Sequence, residues 1–220
     1  SDSVDIIVHG VGAHGASPHK GIDPVLVASQ IVVSLQSVVS RSIAPQEAGV
    51  ITVGAIHGGT KHNIIGDKVE MQLTVRSNNP EVRTQLLDAI DRVAEGVAIS
   101  LGVPKKLMPE VIRSKTETTP PTINDRKSAE FVRAALSDAM GDDVLHDQPR
   151  EGMGAEDFAY FVTPETGVKG VYMNVGGTPE EDVEDAPSHH SPFFKIEPEP
   201  AITTGVEAMT TAAIALFNKE

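Results

Sequence analysis

Val69-Glu-Met-Gln-Leu-Thr-Val-Arg76 alternates without interruption, with Val69, Met71, Leu73 and Val75 on one face and Glu70, Gln72, Thr74 and Arg76 on the other. Successive side chains of a strand point to opposite faces, so the stretch predicts a strand covered on one side only. Its neighbours supply the cover. Upstream, Asp5 to His9 reads as a strand, and Asp23-Pro24 opens a helix in which Val25, Ala28, Ile31, Val32, Leu35, Val38 and Val39 recur at helical spacing before Pro45. Val50 to Ile56 is a β-branched run that predicts a strand buried in the middle of the sheet. Downstream, Asn79-Pro80 starts a second helix whose Val82, Leu86, Ile90, Val93 and Val97 share one stripe down to Gly102. A last strand is expected within Lys105 to Lys115. Strand, helix, strand, strand, helix, strand is the split βαβ, ferredoxin-like order, an antiparallel sheet with both helices on one face. The fold class is therefore α+β. The helix-free face with Glu70, Gln72, Thr74 and Arg76 is left for solvent, a partner or a ligand.

Composition narrows the partners. The 220 residues carry a net charge of -13, and the pI is near 5.0, which argues against nucleic acid or an anionic membrane surface. A hydrophobic fraction of 40% supports a globular core, and no run approaches the roughly 20 apolar residues of a membrane span. With 0 Cys there is no disulfide framework, thiolate metal site or Cys nucleophile in the chain. The start has neither the basic nor the apolar region of a signal peptide, and it also lacks an initiator Met. The compartment is left open, with the cytoplasm favoured.

Thr116-Glu-Thr-Thr-Pro-Pro-Thr122 cannot continue a helix or a central strand, so a junction is placed there, dividing the chain into residues 1–116 and 117–220. Beyond it, helices are expected from Asn124-Asp125 through Met140, over Ala155 to Phe161 and over Pro198 to Phe217. Val144 to His146 reads as extended and Val168 to Val175 as a strand. These are pieces of an α/β layer with too few strands for a sheet of their own.

Several residues are able to carry chemistry. Gly10-Val-Gly-Ala-His14-Gly-Ala-Ser-Pro18-His19 is a Gly-rich turn entered from a strand, built either to present His14 or as a plain surface turn. His189-His190-Ser-Pro192 follows an acidic loop and suits a metal ligand on a rigid turn, or simply surface histidines. Glu156-Asp157 offers paired carboxylates for orienting a ligand or for acid-base work, or ordinary helix N-terminal charge. Asn63 can donate to a carbonyl oxygen and Arg76 can grip a carboxylate by two parallel bonds; a loop Asx turn and a solvated sheet face are the plainer alternatives. No Gly-x-Ser-x-Gly elbow and no Walker or dinucleotide glycine loop is present.

Five segments in register resemble the aminoacylase and glutamate-carboxypeptidase family of dinuclear metallopeptidases, in its amidohydrolase branch with hippurate hydrolases, N-acyl-amino-acid deacylases and auxin-conjugate hydrolases. They are Gly10 to His19 with Ile22-Asp-Pro-Val25, Ser34 to Arg41, Gly58 to Ile65, Thr74-Val-Arg76, and Met153 to Ala159 with His190-Ser-Pro192. The resemblance implies a ferredoxin-like lid that pairs two subunits into a homodimer, inserted in a catalytic domain holding two divalent ions, zinc or manganese. It implies that His14 stabilises the oxyanion in the partner's active site, that Asn63 and Arg76 contact the substrate carbonyl and carboxylate, with Glu156 beside them, and that His190 is the last metal ligand. The substrate implied is a small N-acyl amino acid or peptide.

The family's other ligands and its general-base glutamate have no counterpart here, and Gly66 stands where relatives usually carry Pro. The chain is therefore expected to be a fragment, the lid with the C-terminal part of the catalytic domain, with an incomplete metal site and no activity of its own. The rival expectation is a non-catalytic ferredoxin-like dimerisation or ligand-binding module.

Overall fold

The computed structural model describes residues 1–147 and 152–219. The first part of the chain contributes strands β1 (Asp2–His9), β2 (Ala13–His14), β3 (Gly49–Gly58), β4 (Ile64–Ile65), β5 (Lys68–Ser77) and β6 (Glu110–Thr118), with helices α1 (Pro24–Ser37) and α2 (Pro80–Ser100). The second contributes α3 (Arg126–Met140) and α4 (Pro198–Phe217). Two compact units result. One is Ser1–Thr122 with Gly152–Tyr160, and the other is the described part of Ile123–Glu151 with Phe161–Glu220.

In the first unit the main sheet runs in the order β3-β5-β1-β6, all pairs antiparallel, which is the ferredoxin-like topology. β5 buries Val69, Met71, Leu73 and Val75, and β1 buries Val4, Ile6 and Val8 on the same side. Onto that side α1 lays Val27, Ala28, Ile31 and Leu35, and α2 lays Val82, Leu86, Ile90 and Ala94, closing a single apolar core. Both helices start where an amide-accepting side chain precedes a proline. Asp23 accepts from the Val25 and Leu26 amides at 2.9 and 3.3 Å, and Asn79 accepts from the Glu81 amide at 2.8 Å.

The structure corrects the sequence reading of this unit in two places. β3 is an edge strand rather than a central one, pairing with β5 alone through a bulge between Val53 and Ala55. Its apolar run buries Ile51 but leaves Ile56 half exposed. β6 extends to Thr118, past the Thr/Pro stretch's first residues, because Thr118 is tied into a buried ion pair.

That pair joins Asp2 at the start of β1 to Arg83 in α2. Arg83 Nε and Nη2 donate to the two Asp2 carboxylate oxygens at 2.7 and 2.6 Å, and Thr118 Oγ1 donates to one of them at 2.7 Å. The Asp2 side chain is 8% exposed. Burial pushes its carboxyl up, but the hydrogen bonds from Arg83 and Thr118 and the guanidinium charge together hold it below the usual range.

The second unit has a much smaller core of Val132, Leu136 and Ala212, with Met140, Leu145, Val171, Met173 and Ala208 packed around it. The expected strand at Val168 to Val175 does not form. Tyr172 is instead clasped by the Asn124 side chain, which accepts from its amide at 2.8 Å and donates to its carbonyl at 3.0 Å, while the Asp125 amide bonds the Gly170 carbonyl at 3.0 Å. A strand exists only where a neighbouring backbone pairs with it, and among the described residues of this unit none does. The expected helix over Ala155 to Phe161 is a 3-10 stretch, Asp157–Phe161, and the expected extended piece at Val144 begins as a 3-10 turn, Asp142–Val144.

Two helices, Pro24–Ser42 and Pro198–Phe217, are long and apolar enough by length and composition to cross a membrane, which corrects the sequence reading that no run approaches that size. α1 has its place in the first core. α4 buries Ala212 and leaves Ile202, Val206, Met209, Ile214, Leu216 and Phe217 exposed.

A carboxyl held low in the folded state contributes stability that is full above the ordinary aspartate value and is lost as pH falls through the lower folded value. Arg83→Met leaves Asp2 buried without its cation and is expected to cost about 2–3 kcal/mol in urea unfolding at neutral pH. The gap to the parent chain should narrow as pH drops below about 4; a pH-independent gap would contradict this role of the pair.

Candidate functional site

The Gly-rich loop leaves β1 at His9, whose Nε2 lies 2.8 Å from a carboxylate oxygen of Glu110 at the start of β6. At Gly10 the chain passes so close to the start of α1 that a Cβ would lie 2.5 Å from Pro24 Cδ and 2.6 Å from the Ile22 carbonyl oxygen. Only glycine fits there. Val11 and Ile22 then exchange both backbone hydrogen bonds, at 2.9 and 3.0 Å.

Beyond this bridge the loop forms a two-stranded ribbon. β2 pairs antiparallel with β4, matching Ala13 with Ile65 and His14 with Ile64, and the Gly15 amide continues it by donating to the Asn63 carbonyl at 2.8 Å. Two residues that are 49 positions apart by number thus sit side by side on one ribbon, both exposed. The His14 ring is oriented locally: its Nδ1 accepts from the Ala16 amide at 3.0 Å, while its carbonyl accepts from the Ser17 amide at 2.7 Å. A neutral imidazole that accepts at Nδ1 carries its proton on Nε2. The exposed loop therefore leaves an Nε2–H donor on His14, on the ribbon whose other strand is entered from Asn63.

Arg76 is elsewhere. The Gly10 amide bonds the Asp67 carbonyl, so β5 begins beside the ribbon loop, and Arg76 lies eight residues further along, near the strand's other end. At about 3.3 Å per residue the separation is about 26 Å. There Arg76 Nη1 donates to the Met153 carbonyl at 2.7 Å. Met153 belongs to Gly152–Tyr160, a strap that clusters with the first unit, fastened by the Arg76 bond, by fully buried Ala159 and by the Tyr160 hydroxyl donating to the Thr118 carbonyl. Glu156 lies on the strap, where it caps the 3-10 turn by accepting from the Phe158 amide at 3.3 Å.

His190 lies in the second unit on an exposed turn closed by the Ser191 amide to the Ser188 carbonyl at 2.8 Å. Its ring is 4.5 Å from that of His189, tilted by 46°. Among the described residues no three His, Asp or Glu side chains gather as a metal ion requires. A lone exposed imidazole does not make a metal centre, so the residues present do not fit the two ions that the motifs imply, and no chemical step is derived through them.

The structure thus brings His14 and Asn63 together, places Arg76 with Met153 and Glu156 at the far end of β5, and leaves His190 in the other unit. Sequence reasoning missed the Ala16 amide that orients His14 and the Tyr160 anchor; the spacing Gly12-Ala-His-Gly15 was the one available signal for the first. The helix-free face also carries a shallow open depression of about 360 Å³, lined by Ser3, Asp5, Gln72, Thr74 and Glu117 among others, and none of the candidate site residues lines it.

Residues 1–100 match the model of the peptidase dimerisation domain of the M20 type. The chain is 32% identical to thermostable carboxypeptidase 2 of Saccharolobus solfataricus, over 99% of this chain and 52% of that protein. It is 32% identical to the hippurate hydrolase of Campylobacter jejuni, over 73% of this chain and 40% of that one. The chain spans about half the length of the curated relatives it matches. Among solved structures, a Bacillus subtilis protein described as a dinuclear metal-binding peptidase from the M20 family superposes with a TM-score of 0.68 at 24% identity, covering 97% of this chain and 49% of that one, a likeness of fold. Ordered motifs, the βαββαβ topology and these relatives agree: the first hundred residues are a peptidase dimerisation domain of the M20 type, and the chain is similar to peptidases and amidohydrolases that carry it.

Proposed function

We propose that this chain is the dimerisation lid and the C-terminal catalytic segment of a metal-dependent amidohydrolase that cleaves the amide of N-acyl amino acids, and that it works as a homodimer with His14 and Asn63 acting in trans. The observation that carries the trans arrangement is the length of β5. His14 and Asn63 stand at one end of that strand and Arg76 at the other, too far apart to touch one small substrate, so a second copy must bring the missing group. In this reading the His14 Nε2–H donates to the oxyanion, the Asn63 amide donates to the carbonyl, and the Arg76 fork holds the carboxylate. Relatives named as hippurate hydrolase and N-acetyl-L-cysteine deacetylase support a substrate with an acylated amino group and a free carboxylate.

The catalytic metal, zinc or manganese, is assigned to the whole enzyme rather than to these 220 residues, of which His190 alone corresponds to a ligand. Relatives about twice as long support the fragment reading. So do the segment Val168 to Val175, which joins no sheet among the described residues, and the apolar α4 residues left open in the second unit. Dimerisation is assigned to the unpaired outer edge of β3 with its exposed Ile56, together with Leu26 and Val33, which stand exposed on α1. The second reading, a lid that serves only as a dimerisation module, is favoured by the closed core of the first unit against the small core of the second. Tight stoichiometric zinc or manganese in the isolated chain would contradict the incomplete site that both readings assume.

In the enzyme reassembled with its upstream portion, His14→Ala should lower kcat for hippurate by about 10²–10³ with little change in KM. Mixing that variant with Arg76→Ala, each strongly impaired alone, should raise hydrolysis well above either, because a mixed dimer holds one intact set of groups; no increase refutes the trans arrangement. Val33→Glu should shift the 220-residue chain from dimer to monomer in analytical ultracentrifugation.

A further inference from the structure

A chain of net charge -13 repels anions as a whole, so a site for an anionic ligand needs a local patch of the opposite sign. The two turns beside the His14 ribbon form such a patch. Residues 10–22 and 58–66 hold His14, His19, Lys20, Lys61 and His62 and no aspartate or glutamate, in a chain with 31 acidic residues. All five side chains belong to exposed residues. The carboxylates that border the two segments are engaged elsewhere: Asp23 caps α1, and Asp67 supports the charge of Lys68.

The ribbon brings these two turns together. The Lys61 carbonyl accepts from the Ile64 amide at 3.2 Å, and Ile64 is the strand partner of His14. On the other strand the Ser17 amide bonds the His14 carbonyl at 2.7 Å, and the Lys20 amide bonds the Ser17 carbonyl at 3.1 Å. A turn of this kind spans less than about 7 Å between its end Cα atoms, and antiparallel partners lie about 5 Å apart. The Cα of Lys61 is therefore within about 12 Å of that of His14, and the Cα of Lys20 within about 14 Å. Each ammonium rides on a flexible four-carbon stem that adds about 6 Å of reach. Among the described residues Lys68 alone of the lysines forms an ion pair, so being unpaired is common to the rest. Lys20 and Lys61 are set apart by their place, one small-molecule length from the His14 ring.

We propose that Lys61 and Lys20, with the imidazoles of His19 and His62, form a second anion-binding site beside His14, which takes a second carboxylate of the substrate, on its acyl group or on its amino-acid side chain. This rests on the reading of His14 as the donor at the reacting amide and adds a substrate class, N-acyl amino acids that are dianions. A compact ammonium on a mobile stem suits a carboxylate whose position varies with the length of the chain that carries it, whereas the planar fork of Arg76 suits one in a fixed place.

Backbone amide spectra of the isotope-labelled 220-residue chain, titrated with paired ligands, test the site without any turnover. N-benzoylglutamate is compared with N-benzoylglutamine, and N-succinylglycine with N-butyrylglycine, the members of each pair differing in the second carboxylate. In at least one pair the dianion should shift amides within 14–22 and 58–66 and bind about fivefold more tightly than its partner. The pair that shows it says on which side of the amide the second charge sits. Replacing both lysines, Lys61→Gln with Lys20→Gln, should abolish the preference and leave the melting temperature unchanged, and Lys61→Arg should keep it. A preference in neither pair overturns the proposal, as does one that survives the double substitution or whose shifts lie outside both turns. If the site passes and the reassembled enzyme hydrolyses no amide, the functional reading fails by itself; if the site fails and hippurate is hydrolysed, that reading stands without it.

Discussion

A paired strand cannot fold back on itself, and most of what this chain does follows from that stiffness in β5. Held on both sides by β3 and β1, its ten residues keep a fixed length under α1 and α2. The buried row Val69, Met71, Leu73, Val75 fixes which face is core and hence which face shows Arg76. At one end the strand meets the loop that folds into the His14 ribbon, and at the other it carries the guanidinium that grips the strap. The two halves of the candidate chemistry are thus kept apart by the same element that makes the domain stable.

The two units rest on different physics. The first closes its core with residues of its own and cross-braces it with the Asp2, Arg83 and Thr118 cluster, which ties β1, α2 and β6 together. In the second, an extended segment finds a side chain where a sheet strand would find a backbone. Asn124 imitates the missing neighbour with its amide, satisfying both polar groups of Tyr172.

Legibility in the sequence tracked how local the cause was. The alternation of β5, the helix stripes and the Asp23 and Asn79 caps are set within a few residues, and the ferredoxin-like order followed from them. The placement of β3 at the edge was not legible, because a β-branched run looks alike whether its second side is covered by the same chain or by nothing in it. His14 and Asn63 were each singled out as types, but their adjacency depends on a ribbon of two short strands whose pairing has no hydrophobic period to announce it. Arg76 was marked for its guanidinium, and its actual partner, a main-chain carbonyl 77 residues away, has no residue type at all.

The exposed edge of β3 also sets an arithmetic for this protein. In the dimer proposed above, this edge would pair with its own copy about a two-fold axis, so that every residue along it would meet the same surface twice. Any change there enters the association free energy doubled, and the association constant as a square. In that dimer an edge of ten residues, Ile51 and Ile56 among them, would be the most sensitive dial on the molecule, and it ends just before the loop that carries Asn63.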